Sequence, residues 1–249
     1  MAAVASEVEI VEKLVRTYSL QRRTMYRSAV AHLDAAAGYR VQEAFFDAYF
    51  SGPVACYKVA TMGSDDRGCG RLPQQNVLPS GSSLELASFY NVHVEPELFF
   101  AMDRDVGPAA TADEILSSSR ILPGFDLPDC RYVDGFDPTD QVSMLVDNSF
   151  ASFVIVGADS VPAASIDLPS TACVLSHDGE VIGSGTGATV RGNPVSAVEW
   201  LSSELAARGE ILRAGVIVAS GTLLYPPTAV VGQYTADFTG IGSVTLEFT

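Results

Sequence analysis

The residues best placed to do chemistry lie in the stretch Val92-His93-Val94-Glu95-Pro96-Glu97-Leu98-Phe99-Phe100. In an extended strand alternate side chains share a face, so His93, Glu95 and Glu97 point the same way. Two carboxylates on one face repel each other. A hard cation between them removes the conflict, because Mg²⁺ takes oxygen ligands and commonly a few carboxylates plus waters. An ordinary solvent-facing strand also accounts for alternating Glu, and Pro96 suits a strand end or edge because it cannot donate to the ladder. A second acidic cluster follows in Gly124-Phe125-Asp126-Leu127-Pro128-Asp129-Cys130-Arg131. Asp126 is flanked by apolar residues, as expected of a partly buried carboxylate that needs a partner or a metal; the competing reading is an Asp that forms a turn before Pro. Lys58 interrupts the apolar run Ala55-Cys56-Tyr57-Lys58-Val59-Ala60. It is either an amine snorkelling from a strand edge or a desolvated amine with a lowered pKa that can move protons, a shift that nearby negative charge opposes.

These residues need elements to hold them. From Val8 to about Phe50 apolar residues recur at helical spacing (Val11, Leu14, Val15 and Tyr18, then Val41, Ala44, Phe45, Ala48 and Tyr49), and Gly52-Pro53 ends the pattern. Beyond it the texture changes to short β-branched and aromatic runs broken by Gly, Pro, Asn and Asp. Strands are expected at 55–60, 84–86, 93–102, 153–156, 172–176, 180–185, 216–220, 234–238 and 243–248. One clear helix opens at Asn193-Pro194 and stops before Gly209, with Ala197, Val198, Leu201, Leu205 and Ala206 as its apolar stripe. A shorter helix over 112–118 starts at Thr111, with Glu114 completing a capping box. Few strands are spaced by crossover helices, so a doubly wound parallel sheet is disfavoured. The expectation is an α+β fold around a β-roll or sandwich, in which a helical N-terminal region, residues 1–52, packs on a β-rich region, residues 53–249, as a single domain.

The whole-chain balance narrows the function. The chain has 249 residues, 30 acidic against 15 basic, for a formal charge of −15. Such a field repels phosphate backbones and anionic lipid, so nucleic acid is not an expected partner. A small anionic substrate then needs something locally positive to draw it in, and a bound cation serves. Apolar runs such as 153–156 and 216–219 fall far short of the roughly 20 residues that span a bilayer, so no membrane partner is expected. Glu7, Glu9 and Glu12 stand where a signal peptide would carry basic and apolar residues, and a cytoplasmic location follows. Cys56, Cys69, Cys130 and Cys173 lie far apart with no C-x-x-C pair, which reads as buried free thiols.

Against this background, the run Asp178-Gly179-Glu180-Val181-Ile182-Gly183-Ser184-Gly185-Thr186-Gly187-Ala188 stands out. It is followed by Gly192-Asn193-Pro194, Ala197-Val198-Glu199-Trp200-Leu201, Ala206-Ala207-Arg208-Gly209 and Leu212-Arg213-Ala214-Gly215. In order and spacing it resembles the signature of the fumarylacetoacetate hydrolase superfamily, within it the 2-keto-4-pentenoate hydratase and 4-oxalocrotonate decarboxylase group. Tyr39–Gln42, Leu78-Pro79-Ser80-Gly81 and Val146-Asp147-Asn148-Ser149 are similar to further group motifs, and the resemblance runs from about Ala37 to Thr249. It implies the superfamily's C-terminal-domain-like β-roll and a Mg²⁺ or Mn²⁺ ion held by Glu95 and Glu97, with Asp126 in place of a usual Glu. It implies an acid/base or substrate-binding role for Lys58, and adds Ser149, Thr186 and Arg131 as substrate-binding candidates. A small oxo-acid substrate, a homo-oligomer and complexes with a pathway enzyme are further implications.

The resemblance breaks between about residues 62 and 77. Gly68-Cys69-Gly70 stands where the group carries an Asp-x-Gly whose Asp assists proton transfer, leaving Asp65, Asp66 and His93 as catalytic candidates. The implied activity is a metal-dependent lyase of hydratase or decarboxylase type. Hydrolytic carbon–carbon cleavage of an acylpyruvate, or a member altered to a non-catalytic role, are the alternatives.

Overall fold

A computed structural model describes residues 5–62 and 66–249. The expected N-terminal helical region consists of two main helices. Helix α1 (Glu7–Leu20) opens on a Ser6/Glu9 capping box and ends at Gln21 in left-handed geometry, and α2 (Ala35–Tyr49) is capped by Asp34, which accepts from Ala37 N at 2.8 Å. Both lay their apolar faces on one core through Ile10, Leu14, Val41 and Phe45. Buried Gln42 of α2 donates to Cys69 O and Leu145 O at 2.8 and 3.0 Å, so a single amide ties the helix to two later segments.

The rest is strand-rich. In chain order come β1 (Val54–Met62), β2 (Asp66–Pro73), β3 (Val77–Pro79), β4 (Ser82–Leu84), β5 (Glu95–Met102), α3 (Ala112–Ser117), β6 (Ser119–Leu127), α4 (Gln141–Val146), β7 (Phe153–Val156), β8 (Val161–Pro162), β9 (Ala172–His177), β10 (Glu180–Thr186), α5 (Val195–Ala206), β11 (Ile217–Thr222), β12 (Gly232–Phe238) and β13 (Gly242–Phe248). Among the described residues one mixed sheet has the order β2-β1-β11-β5-β6-β7-β3 with β8 beside β6, and a second has the order β10-β9-β12-β13-β4. The architecture is α+β, as the strand texture implied.

The first sheet sorts its side chains by face, and that sorting makes the site. On β1, β5 and β6 the residues Tyr57, Val59, Leu98, Phe100, Ile121, Phe125 and Leu127 join the main core. The alternate positions, including Cys56, Phe99, Leu122 and Ala219, form a separate apolar cluster on the opposite face. Lys58, Glu95, Glu97 and Asp126 share that opposite face by the same two-residue alternation. Burial on both faces also hid β6 in the sequence, since its alternation is lost and Pro123-Gly124 interrupts the run.

Strand β2 is not among the strands expected from sequence, and its Gly68-Cys69-Gly70 carries no apolar alternation to mark it. The glycines are there for space. A Cβ at Gly70 would lie 2.4 Å from Asn148 O and 2.9 Å from the Ala151 Cβ. Gly70→Ala is therefore expected to lower stability by about 1–3 kcal/mol through backbone displacement. A denaturant midpoint within error of wild type would contradict this packing.

Candidate active site

Strands β5 and β6 run antiparallel with Glu95 directly opposite Asp126 and Glu97 opposite Gly124. One carboxylate oxygen from each of Glu95, Glu97 and Asp126 lies within 4.8 Å of the other two. Lys58 enters from β1, which is separated from β6 by β11 and β5. On a flat sheet three strand spacings would be about 14 Å. Yet Lys58 Nζ lies 2.6 Å from Asp126 Oδ2, so the sheet curls and its second face is concave. Between them Ala219, the β11 partner of Lys58, keeps the path low.

The β5–β11 register slips between Ala219 and Thr222. At that irregularity Gly221 takes φ 116°, a conformation open to glycine, and aims its N–H at Glu97 Oε2, 2.7 Å away.

Charge is concentrated and under-compensated here. Burial pushes the Glu97 carboxyl well above its ordinary value, and the charges of Asp126 and Glu95 add to this, while the Gly221 N–H and Lys58 oppose it. Glu95 is pushed up to about 7, by burial first, with Lys58 pulling the other way. For Lys58, burial favours the neutral amine. Asp126, Glu95 and Glu97 together outweigh it, so the group stays an ammonium with its pKa raised rather than lowered.

These observations decide whether the residues fit a divalent ion. Three carboxylates against one ammonium leave a formal charge of −2 in a nearly dry site. Asp126 Oδ1 is buried and accepts no hydrogen bond from an N–H or hydroxyl among the described residues. An all-oxygen donor set with an orphaned carboxylate oxygen fits a hard dication.

The linkage gives a test with a definite sign. Glu95 rises from 4.5 to about 7 on folding, so in the metal-free protein the unfolded chain ionises first as pH climbs. Stability is then lost between these values, by on the order of 3 kcal/mol at pH 8. Asp147, pushed up to about 6 by burial against the pull of Arg131, adds to the slope but lies outside the carboxylate trio. The melting temperature in chelator should fall from pH 5 to pH 8. The increment given by Mg²⁺ should grow over the same range, because the ion competes with the proton on Glu95. Equal Mg²⁺ increments at both pH values would contradict the coupling.

A cavity of about 720 Å³ opens beside Glu95, with Lys58 and His93 also on its wall. His93 Nε2 lies 3.1 Å from Thr228 Oγ1, and burial, then the Lys58 charge, lowers its pKa. Ser149 also lines the cavity; it is fully buried and its Oγ has no partner among the described residues. It sits in a turn where Asn148, Ser149 and Phe150 all have positive φ, near 50–59°. Strain of this kind persists only where surrounding contacts over-determine it. Here Asn148 supplies them, accepting from Arg71 N and donating to Arg71 O, both at 2.8 Å.

Two candidates are not in the cavity. Arg131 bonds Asp147 and Ala151 O and lies over the Tyr18 ring, its centre 4.1 Å from the ring centroid. It is a structural cation that braces the strained turn. Thr186 ends exposed strand β10; Thr189, three residues on, reaches the cavity wall instead. Asp65 and the side chain of Asp66 lie outside the described residues. The position where the resemblance expected an acid is closed off, since a Cβ at Gly68 would lie 2.5 Å from Met144 Cε and 2.8 Å from Leu145 Cδ2. Sequence reasoning passed over Arg23, Tyr90 and Arg191, which line the same cavity. None of them falls in a motif or an apolar run that would mark it.

No family model matches the chain. Among curated proteins, it is 32% identical over 196 residues to a 2-keto-4-pentenoate hydratase of Burkholderia vietnamiensis, covering 76% of this chain and 72% of that one. It is 30% identical over 170 residues to a 2-hydroxyhexa-2,4-dienoate hydratase of Comamonas testosteroni, covering 67% of this chain and 64% of that one. The match thus spans about two thirds of these relatives' length. Among solved structures, a 4-oxalocrotonate decarboxylase of Pseudomonas putida G7, complexed with magnesium and adipate, superposes with a TM-score of 0.87. That likeness, at 22% identity, covers 98% of this chain and 99% of the other and establishes the fold.

Proposed function

Because the chain belongs to the fumarylacetoacetate hydrolase superfamily, in its 2-keto-4-pentenoate hydratase and 4-oxalocrotonate decarboxylase group, we propose that it is a Mg²⁺-dependent lyase acting on a small 2-hydroxydienoate or 2-oxo-enoate acid. The observation that carries this reading is the convergence of Glu95, Glu97 and Asp126 beside Lys58, with Glu95 and Lys58 lining one cavity. These three carboxylates would hold the ion, which when bound supplies Lewis acidity toward the carboxylate and 2-oxygen of an oxo-acid head.

The chain's own groups do the rest. Lys58 carries a proton at the cavity floor, oriented by Asp126 Oδ2, and can deliver it to a substrate carbon or oxygen above. His93, kept neutral by burial and by Lys58, can accept a proton from a water or a substrate carbon. The buried, unpartnered Ser149 hydroxyl is free to orient the polar head, while Ala60 and Phe150 give the hydrocarbon part an apolar wall that excludes bulk water.

A dienoate or oxo-enoate absorbs in the ultraviolet, so turnover is followed as loss of that band with Mg²⁺ and with chelator. Metal-dependent loss is expected; its absence across both substrate classes would overturn the proposal. Product analysis in the same assay separates hydrolysis, which alone yields pyruvate and a free acid from an acylpyruvate.

A further inference from the structure

At about 720 Å³ the cavity is larger than a three-carbon acid head needs, and its wall carries Arg23 as well as Lys58. Arg23, in the segment between α1 and α2, lines this cavity together with Tyr90. Its guanidinium carbon stands 5.0 Å from the centroid of the Tyr90 ring. Among the described residues no carboxylate pairs with it, and its Nε is buried without a hydrogen-bond partner.

The chain has two acids for every base, and other buried or half-buried arginines near the core find acids. Arg27, Arg71, Arg131 and Arg208 all meet carboxylates within 4.0 Å. Asp129, beside Tyr90, is committed to the backbone, accepting from Tyr90 N at 3.0 Å and Asn91 N at 2.7 Å. The Tyr90 hydroxyl is likewise buried and unpartnered. Two orphaned donors, one of them charged, thus share a cavity whose floor is built to hold the other end of an anionic molecule. A buried donor left unmatched is costly, and a carboxylate is the ligand that guanidinium and phenol N–H and O–H groups match best.

We propose that Arg23, assisted by the Tyr90 hydroxyl, is the subsite for a second carboxylate at the tail of the substrate, so that the preferred ligand is a 2-oxo dicarboxylic acid. The inference rests on the metal-dependent oxo-acid reading above. It adds that the tail is anionic.

The test titrates the Mg²⁺-loaded protein calorimetrically with oxalate, with 2-oxo diacids of five, six and seven carbons, and with 2-oxo monoacids of the same lengths. At least one diacid should bind about tenfold or more tightly than its matched monoacid. Arg23→Met should bring that pair to within about twofold while leaving oxalate affinity unchanged, since oxalate reports on the metal floor alone. If Arg23→Met no longer binds oxalate, it has lost the fold, and Tyr90→Phe decides: a several-fold loss confined to diacids supports the subsite, and no change overturns it. Equal binding of every diacid and monoacid by a wild type that binds oxalate overturns the subsite alone. Failure of the Mg²⁺-loaded wild type to bind oxalate overturns the oxo-acid reading and the subsite with it.

Discussion

Glu97→Gln should abolish measurable Mg²⁺ stabilisation and lower turnover by about 10³-fold or more, while leaving the metal-free protein at least as stable as wild type. The two effects have opposite signs because Glu97 belongs to a crowded set of buried charges and is itself only 1% exposed, beside Asp126 at 0%. Removing one of three carboxylates from a site that Lys58 only partly neutralises costs a dication several kcal/mol of attraction. Without the ion the same change relieves repulsion from Glu95 and Asp126 and a desolvation penalty. The hydrogen bond from Gly221 N survives, because the amide oxygen of Gln can accept it. Thermal melts with Mg²⁺ and with chelator, beside the ultraviolet assay, read both signs. A variant that still gains stability from Mg²⁺ as wild type does would contradict the assignment of Glu97.

Lys58→Met should have a comparably large effect by a different route. Asp126 would lose the ammonium 2.6 Å from its Oδ2 inside a buried site. The metal-free protein should then lose about 3–5 kcal/mol, the usual cost of breaking a buried ion pair from one side. Mg²⁺ affinity should hold or rise, since a positive charge beside a cation site has been removed. Turnover should still fall by about 10²–10⁴-fold, the range for loss of a positioned proton donor. Calorimetric Mg²⁺ titration and the kinetic assay separate the two. If affinity and turnover fall in step, Lys58 organises the metal floor rather than moving protons.

How legible the site was depended on what each residue owed to local pattern. Glu95 and Glu97 could be read because a two-residue spacing fixes a common face wherever the strand lies. Lys58 could be read because a charge in an apolar run demands a partner, although the direction of its pKa depended on three carboxylates that arrive from other strands. Asp126 looked like part of an acidic loop and was connected to the others through family resemblance; its strand is buried on both faces and broken by Pro123-Gly124, so no alternation marks it. Arg131 and Thr186 were assigned by motif position, yet Asp147 and Tyr18 hold the first, and strand exposure removes the second. Arg23 had no local signal, because only the packing of the segment between α1 and α2 against Tyr90 turns a surface-like Arg toward the cavity.

The most direct test is diffraction from crystals soaked in Mn²⁺, collected at the manganese edge. One anomalous peak should appear per chain, within coordination distance of carboxylate oxygens of Glu95, Glu97 and Asp126. A peak at any other location, or none at a concentration that saturates the Mn²⁺ effect on melting temperature, would contradict the claim that this trio grips a single hard ion.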